Sequence, residues 1–160
     1  ILKNTQARLL QYVKGGGTFI VQYNVSRGLL TEDIGPYPFA IGRDRVSEEN
    51  APVTFLNPEH PVLNFPNTIT KDDFDGWIQE RGLYFADKWD NRYETMLSSS
   101  DKQEPDQEGG LLYARYGEGI FIYTAYAWFR QLPDGVPGAY RLFANLIASG
   151  KNHGQRSNEK

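Results

Sequence analysis

Apolar and polar positions follow two different periods along this chain, and the first change of period is abrupt. Leu9, Leu10 and Val13 form a stripe at helical spacing, Asn4 is placed to cap the helix start, and Gly15, Gly16 and Gly17 end it. Directly afterwards Phe19-Ile20-Val21 has no polar alternation. That is the pattern of a central strand, here spanning 19–24, covered on both faces of a parallel or mixed sheet. A helix stopped by glycine and followed by an unbroken apolar strand predicts an α/β layer. Further strands are predicted over 94–98, 111–116 and 119–126, the last two joined as a hairpin through Tyr116-Gly-Glu-Gly119 and extending the sheet. A closing helix runs from Pro137, suited to a first helical position, to Gly150 as its C-cap. Its inward face is Tyr140, Phe143, Ala144 and Ile147.

Between these parts lies an irregular stretch, 25–92, rich in Pro, Asn and Gly. A loop of that length has a role or a partner to cover. Its aromatic residues, among them Tyr37, Phe39, Phe74, Trp77, Tyr84 and Phe85, predict an ordered, buried segment rather than disorder. Thr70 reads as the N-cap of a short turn with acidic residues at its positive end. Residues 98–110 are polar and read as a solvated excursion. The expectation is one α/β domain over 1–150 and a polar tail over 151–160. Opening at Ile1, almost at once on a helix, is what a piece of a longer protein would show, so upstream strands are expected outside this sequence.

Charge and composition then remove several classes. Seventeen basic and twenty acidic residues are mixed along the chain, net charge −3, with no basic stripe for nucleic acid. No apolar run is long enough to span a membrane. With no cysteine there is neither a thiolate nucleophile nor a disulfide, and the redox compartment stays open. His60 and His153 are too few for most metal sites and neither sits in a ligand pattern, and His60, before a proline, suits a hydrogen-bonding role. Neither phosphate-loop nor dinucleotide-binding glycine patterns occur, so no cofactor or metal is expected.

Two polar and aromatic clusters remain. Asp72-Asp-Phe-Asp-Gly-Trp-Ile-Gln-Glu-Arg-Gly82 combines carboxylates, an amide, a guanidinium and an indole, a set that can stack on a sugar and hold its hydroxyls but is more often an internal ion-pair network. Tyr126, Trp128 and Arg130 follow the last strand and stand beside Tyr23 and Asn24 at one sheet end, where open α/β sheets leave a crevice. The expected ligand-binding surface is therefore Tyr23, Asn24, Tyr126, Trp128 and Arg130, with Trp77, Gln79, Glu80 and Arg81 folded over it. Removing Trp128 or Arg130 is expected to weaken binding there with the fold intact.

At residues 15–24, at His60-Pro-Val-Leu63 with Phe74-Asp-Gly-Trp77, and at Tyr116-Gly-Glu-Gly-Ile-Phe-Ile-Tyr-Thr124, the chain resembles the ThuA-like and class I glutamine amidotransferase-like domains. The resemblance implies a flavodoxin-like layered sheet with helices on its faces. The runs 75–85 and 129–145 are similar to the C-terminal region of large Bacteroidetes proteins of the PIG-L (LmbE-like) deacetylase family. In those proteins a Pro-His-Pro-Asp-Asp type motif, absent here, would hold zinc in an N-terminal domain. The resemblance thus implies an accessory domain packed on the deacetylase domain of the same parent chain, which would be a zinc-dependent N-acetyl sugar deacetylase in a periplasmic or extracellular setting. The positions where amidotransferases deliver cysteine and histidine read Val21-Gln-Tyr-Asn24 and Thr124-Ala-Tyr-Ala127, so the covalent route to glutamine hydrolysis is missing. Three readings stand: a non-catalytic accessory domain that binds carbohydrate or packs on its neighbour; an independent hydrolase acting through Asp75, Glu80 and Arg81; and a purely structural interaction module.

Overall fold

The computed structural model describes residues 2–25, 27 and 34–150. In chain order its elements are α1 (Leu2–Lys14), β1 (Thr18–Gln22), β2 (Phe39–Ile41), β3 (Arg45–Val46), β4 (Val53–Phe55), α2 (Pro61–Asn64), a 3-10 turn (Lys71–Phe74), β5 (Gly82–Leu83) and β6 (Ala86–Trp89). There follow β7 (Glu94–Thr95), β8 (Leu97–Ser99), β9 (Leu111–Tyr116), β10 (Gly119–Thr124), α3 (Trp128–Gln131) and α4 (Pro137–Ala148). The fold is mixed α/β, and its main sheet is mostly antiparallel, in the order β1-β10-β9-β7. Among the described residues only β1 and β10 run parallel, Phe19 opposite Phe121 and Gln22 opposite Thr124.

Every residue of β10 is buried, and its side chains divide two cores. Ile120 and Ile122 join Trp77, Trp128, Leu142 and Leu146 on one side. Phe121 and Tyr123 join Val13, Phe39 and Phe85 on the other. Successive strand residues point to opposite faces, so α1, through Val13, and α4, through Leu142 and Leu146, cover opposite sides of one sheet.

Several expectations are corrected. The strand expected over 19–24 ends at Gln22 and lies at the sheet edge; β10 and β9 are the inner strands. An unbroken apolar run reports that both faces are covered, as α1 and α4 cover them, whereas neighbours along the edge are chosen by backbone groups that leave no mark on side-chain pattern. The first helix starts at Leu2, so Asn4 lies inside it rather than capping it.

The last helix ends at Ala148 with Ser149 as cap rather than Gly150, and the Ser149 hydroxyl donates to the Leu146 carbonyl at 2.6 Å. Its inward face is Ala139, Leu142, Asn145 and Leu146, while Tyr140 and Ile147 are 51% and 58% exposed. Asn145 disguises that stripe. It is fully buried because its Nδ2 donates to the carbonyls of Val62 and Asn67 at 2.9 and 2.7 Å and its Oδ1 accepts from the Asn67 N–H at 2.9 Å.

The strand expected over 94–98 is two strands: β7 pairs with β9, and β8 with β4. Nor is 98–110 a free excursion. Ser98 and Ser99 are buried, Gln107 bridges to Ser99, and the Asp101 carboxylate accepts the N–H groups of Ser47 and Glu48, both at 2.8 Å. Burial pushes the Asp101 carboxyl up, but those hydrogen bonds outweigh it and hold the group below its ordinary value.

Where it is described, the stretch 25–92 forms short ribbons, β2 with β6 and β3 with β5. It buries Phe39, Phe74, Trp77 and Phe85 and leaves Phe65 exposed. Thr70 begins the 3-10 turn, its N–H donating to the Asp73 carboxylate at 2.8 Å. The tail 151–160, with His153, lies outside the described residues. Among the described residues no helix is long and apolar enough to cross a membrane.

Candidate functional site

The parallel pair β1 and β10 directs two chain segments out of the same sheet end. The chain leaves β10 through Ala125, whose carbonyl accepts the Leu83 N–H at 2.9 Å; Gly82 bridges to Tyr126, and the Ala127 N–H donates to the Arg81 carbonyl at 2.9 Å. Backbone bonding therefore lays the segment 77–83 across that end. Gln131, which the sequence reading missed, clamps it from α3: its Oε1 accepts the Ile78 N–H at 2.9 Å and its Nε2 donates to the carbonyls of Ile78 and Glu80 at 3.0 and 3.2 Å.

Trp77, Arg81, Tyr126 and Trp128 meet here as a packed interior. The Trp77 ring lies 5.9 Å from Tyr126 and 5.6 Å from Trp128, and all four residues are buried. Arg81 directs Nε and Nη2 at the Ala51 carbonyl, 3.0 and 2.8 Å, and Nη1 at the Phe74 carbonyl, with its guanidinium over the Phe74 and Trp77 rings. Burial lowers its pKa, and Tyr126, Asp75 and Glu49 oppose the shift. Among the described residues the Tyr126 hydroxyl has no hydrogen-bond partner, and burial pushes its pKa up, with Arg81 pulling the other way. The indole of Trp128 donates to Thr124 Oγ1 at 3.0 Å.

Glu80 and Arg130 form an ion pair at 2.5 Å, and the Arg130 guanidinium also lies over Phe129. Gln79 has φ +64°, an exposed side chain, and an N–H donating to Glu49 Oε2 at 2.8 Å. Asp75 is exposed. Tyr23 is 46% exposed with φ +49°, its ring 4.5 Å from Phe129 and 5.9 Å from Tyr84; Asn24 Nδ2 donates to the Gln22 carbonyl at 3.3 Å. His60 lies elsewhere, capping α2 with Nδ1 accepting from the Val62 N–H at 3.2 Å. Burial lowers its pKa against the pull of Glu94.

Beyond Tyr23, a cavity of about 550 Å³ is lined by Val25, Arg27, Arg43, Arg45, Leu83 and Tyr84. Arg45 stands opposite Leu83 in the ribbon of β3 and β5. Tyr84 has φ +64°, and its carbonyl accepts the Tyr123 hydroxyl at 2.5 Å. Two tyrosines in the left-handed region thus face one another at the cavity's edge, the kind of backbone strain that concentrates at functional sites. A second cavity of about 200 Å³, holding Asp44, Ser47, Asp101, Glu104 and Gln107, shares Arg43 and Arg45 with the first. The sequence reading missed this basic cluster. Its one signal is the spacing Arg43-Asp-Arg45, which in extended chain puts both arginines on one side; Arg27 comes from a distant segment.

Among the described residues no group of three or more His, Asp or Glu side chains could hold a metal ion. No family model and no curated protein matches the chain. Among solved structures it is similar to the Cytoplasmic Protein STM3548 from Salmonella typhimurium, with a TM-score of 0.57 and 18% sequence identity over 90% of this chain and 59% of that one. The chain therefore spans about three-fifths of that neighbour's length, and at this identity the likeness is one of fold alone.

Proposed function

We propose that the chain is a non-catalytic accessory domain whose ligand-binding surface is the sheet end beyond β1 and β10. In this reading the layering is flavodoxin-like, of the ThuA-like and class I glutamine amidotransferase-like kind, and the partner is a PIG-L-type deacetylase domain. The observation that carries the reading is the state of the polar groups a hydrolase would need. Glu80 is held by Arg130, and the guanidinium of Arg81 is committed to the carbonyls of Ala51 and Phe74. Paired in this way, Glu80 is not free to act as acid, base or nucleophile on a sugar, and the exposed Asp75 is left as the one carboxylate of that set where a glycosidase uses two. The positions after the two strands carry Tyr23 and Ala125, neither of them a cysteine or a histidine. The parallel pair between α1 and α4 supports the layered assignment.

The test is turnover by the full chain, with glutamine and with an N-acetylated sugar in the presence of added zinc. No release of ammonia or acetate above buffer is expected. Catalytic release of either would overturn the non-catalytic reading.

A further inference from the structure

We propose that the cavity beyond β1 binds a small molecule of about one sugar ring bearing a phosphate or sulfate group, with Arg27, Arg43 and Arg45 around the anion and Val25, Leu83 and Tyr84 against its body. The proposal rests on reading this sheet end as a ligand-binding surface. Charge is its first support. The chain is net negative, yet three arginines from two segments line one cavity. Like charges brought together repel unless an anion lies between them.

Four other arginines have their guanidinium bonding taken up within the protein. Arg81 donates to backbone carbonyls, Arg92 pairs with Asp90, Arg130 with Glu80 and Arg141 with Asp73. Among the described residues Arg27, Arg43 and Arg45 make no ion pair. Among the described residues, three carboxylates share the second cavity with Arg43 and Arg45, and none of the three forms an ion pair with them. They are Asp44, Glu104 and Asp101; Asp101, which Arg45 influences, has its oxygens on the N–H groups of Ser47 and Glu48.

Guanidinium is the side chain whose planar fork matches a tetrahedral oxyanion. The volume suits a small-molecule site, and an aromatic ring beside two aliphatic side chains gives a wall for the apolar face of a sugar. Tyr84 is fixed there by the Tyr123 hydrogen bond to its carbonyl and by the bond from the Leu83 N–H to Ala125.

The experiment is titration calorimetry of the full chain with glucose 6-phosphate, glucose 6-sulfate, glucose and inorganic phosphate. At least one ester is expected to bind about tenfold or more tighter than both glucose and inorganic phosphate, and which ester binds identifies the anion. Arg43→Gln and Arg45→Gln are each expected to weaken that binding about tenfold. Lys14→Gln makes the same charge change at the opposite end of the sheet, where the Glu118 N–H bonds the Lys14 carbonyl, and is expected to leave affinity within about twofold. Glucose binding as tightly as the esters, no binding of either ester, or arginine variants that bind like the parent would each overturn the proposal. Binding without turnover leaves both readings standing. Hydrolysis of a bound ester would overturn the non-catalytic reading alone, and failure of both esters to bind would remove the anion site alone.

Discussion

Arg81 and Arg43 lie near one sheet end and have opposite surroundings. Arg81 is 4% exposed, stacked on Phe74 and Trp77, and bonded to two carbonyls that would otherwise be buried without donors. Arg43 is exposed, borders two cavities and makes no ion pair among the described residues. In one half of this sheet end the cation completes the protein's own hydrogen bonding; in the other its bonding capacity is left over. A buried, fully bonded polar side chain belongs to folding, and a cluster of unpartnered like charges on a cavity wall belongs to binding.

The largest effect that sharpens the contrast is Arg81→Met. Methionine replaces the stem and the contact with Trp77 but strands the carbonyls of Ala51 and Phe74. Two buried acceptors without donors are expected to lower stability by about 3 kcal/mol, read as a shift in the urea midpoint at unchanged slope. A loss within the range of ordinary surface substitutions would mean that Arg81 is as dispensable to the fold as Arg43, and the comparison would break.

The sequence makes the faces of this fold legible and its edges illegible. Val13, from the stripe of Leu9, Leu10 and Val13, is the buried contact of α1, with Leu9 and Leu10 half-buried, and the residues of β10 read as a buried strand, because side-chain period reports what lies above and below. That β1 would be an edge strand, and that β7 and β8 would part into different sheets, depends on backbone pairing. β3 and β5, two residues each, are too short to show any period. At the sheet end, the aromatic residues Trp77, Tyr126 and Trp128 stand out in the sequence, and the structure brings them together as core. The arginine cluster does not stand out, because Arg27 reaches it from a different segment and Arg43 and Arg45 flank an aspartate that masks their charge.

Between the two extremes stands the ion pair of Glu80 and Arg130, with side chains 13% and 33% exposed. Arg130→Ala leaves the less exposed partner, Glu80, without its cation, so a loss of about 1 kcal/mol is expected, more than an open surface pair gives and less than a fully buried one. Glu80→Gln in the same background is expected to recover part of that loss by removing the stranded charge, which a double-mutant cycle followed by urea unfolding would resolve. If the double variant is no more stable than Arg130→Ala alone, Glu80 was never dependent on Arg130, and the boundary between the folding half and the binding half would have to be redrawn.

The smallest expected effect lies at the other end of the comparison. Arg43→Gln and Arg45→Gln remove charges from exposed side chains that make no ion pair among the described residues, so unfolding free energy is expected to change by less than about 0.5 kcal/mol. The sign is informative. Three cations on one cavity wall repel one another when no anion is bound, so each variant is expected to be neutral or slightly more stable at low ionic strength, with any gain fading as salt is added. Asp101 works against this for Arg45, whose charge it feels, so the gain is expected to be larger for Arg43→Gln than for Arg45→Gln. Thermal unfolding of both variants at low and high salt measures the difference. A clear loss of stability in Arg43→Gln would show that this guanidinium, like that of Arg81, serves the fold, and the two halves of the sheet end would no longer differ in kind.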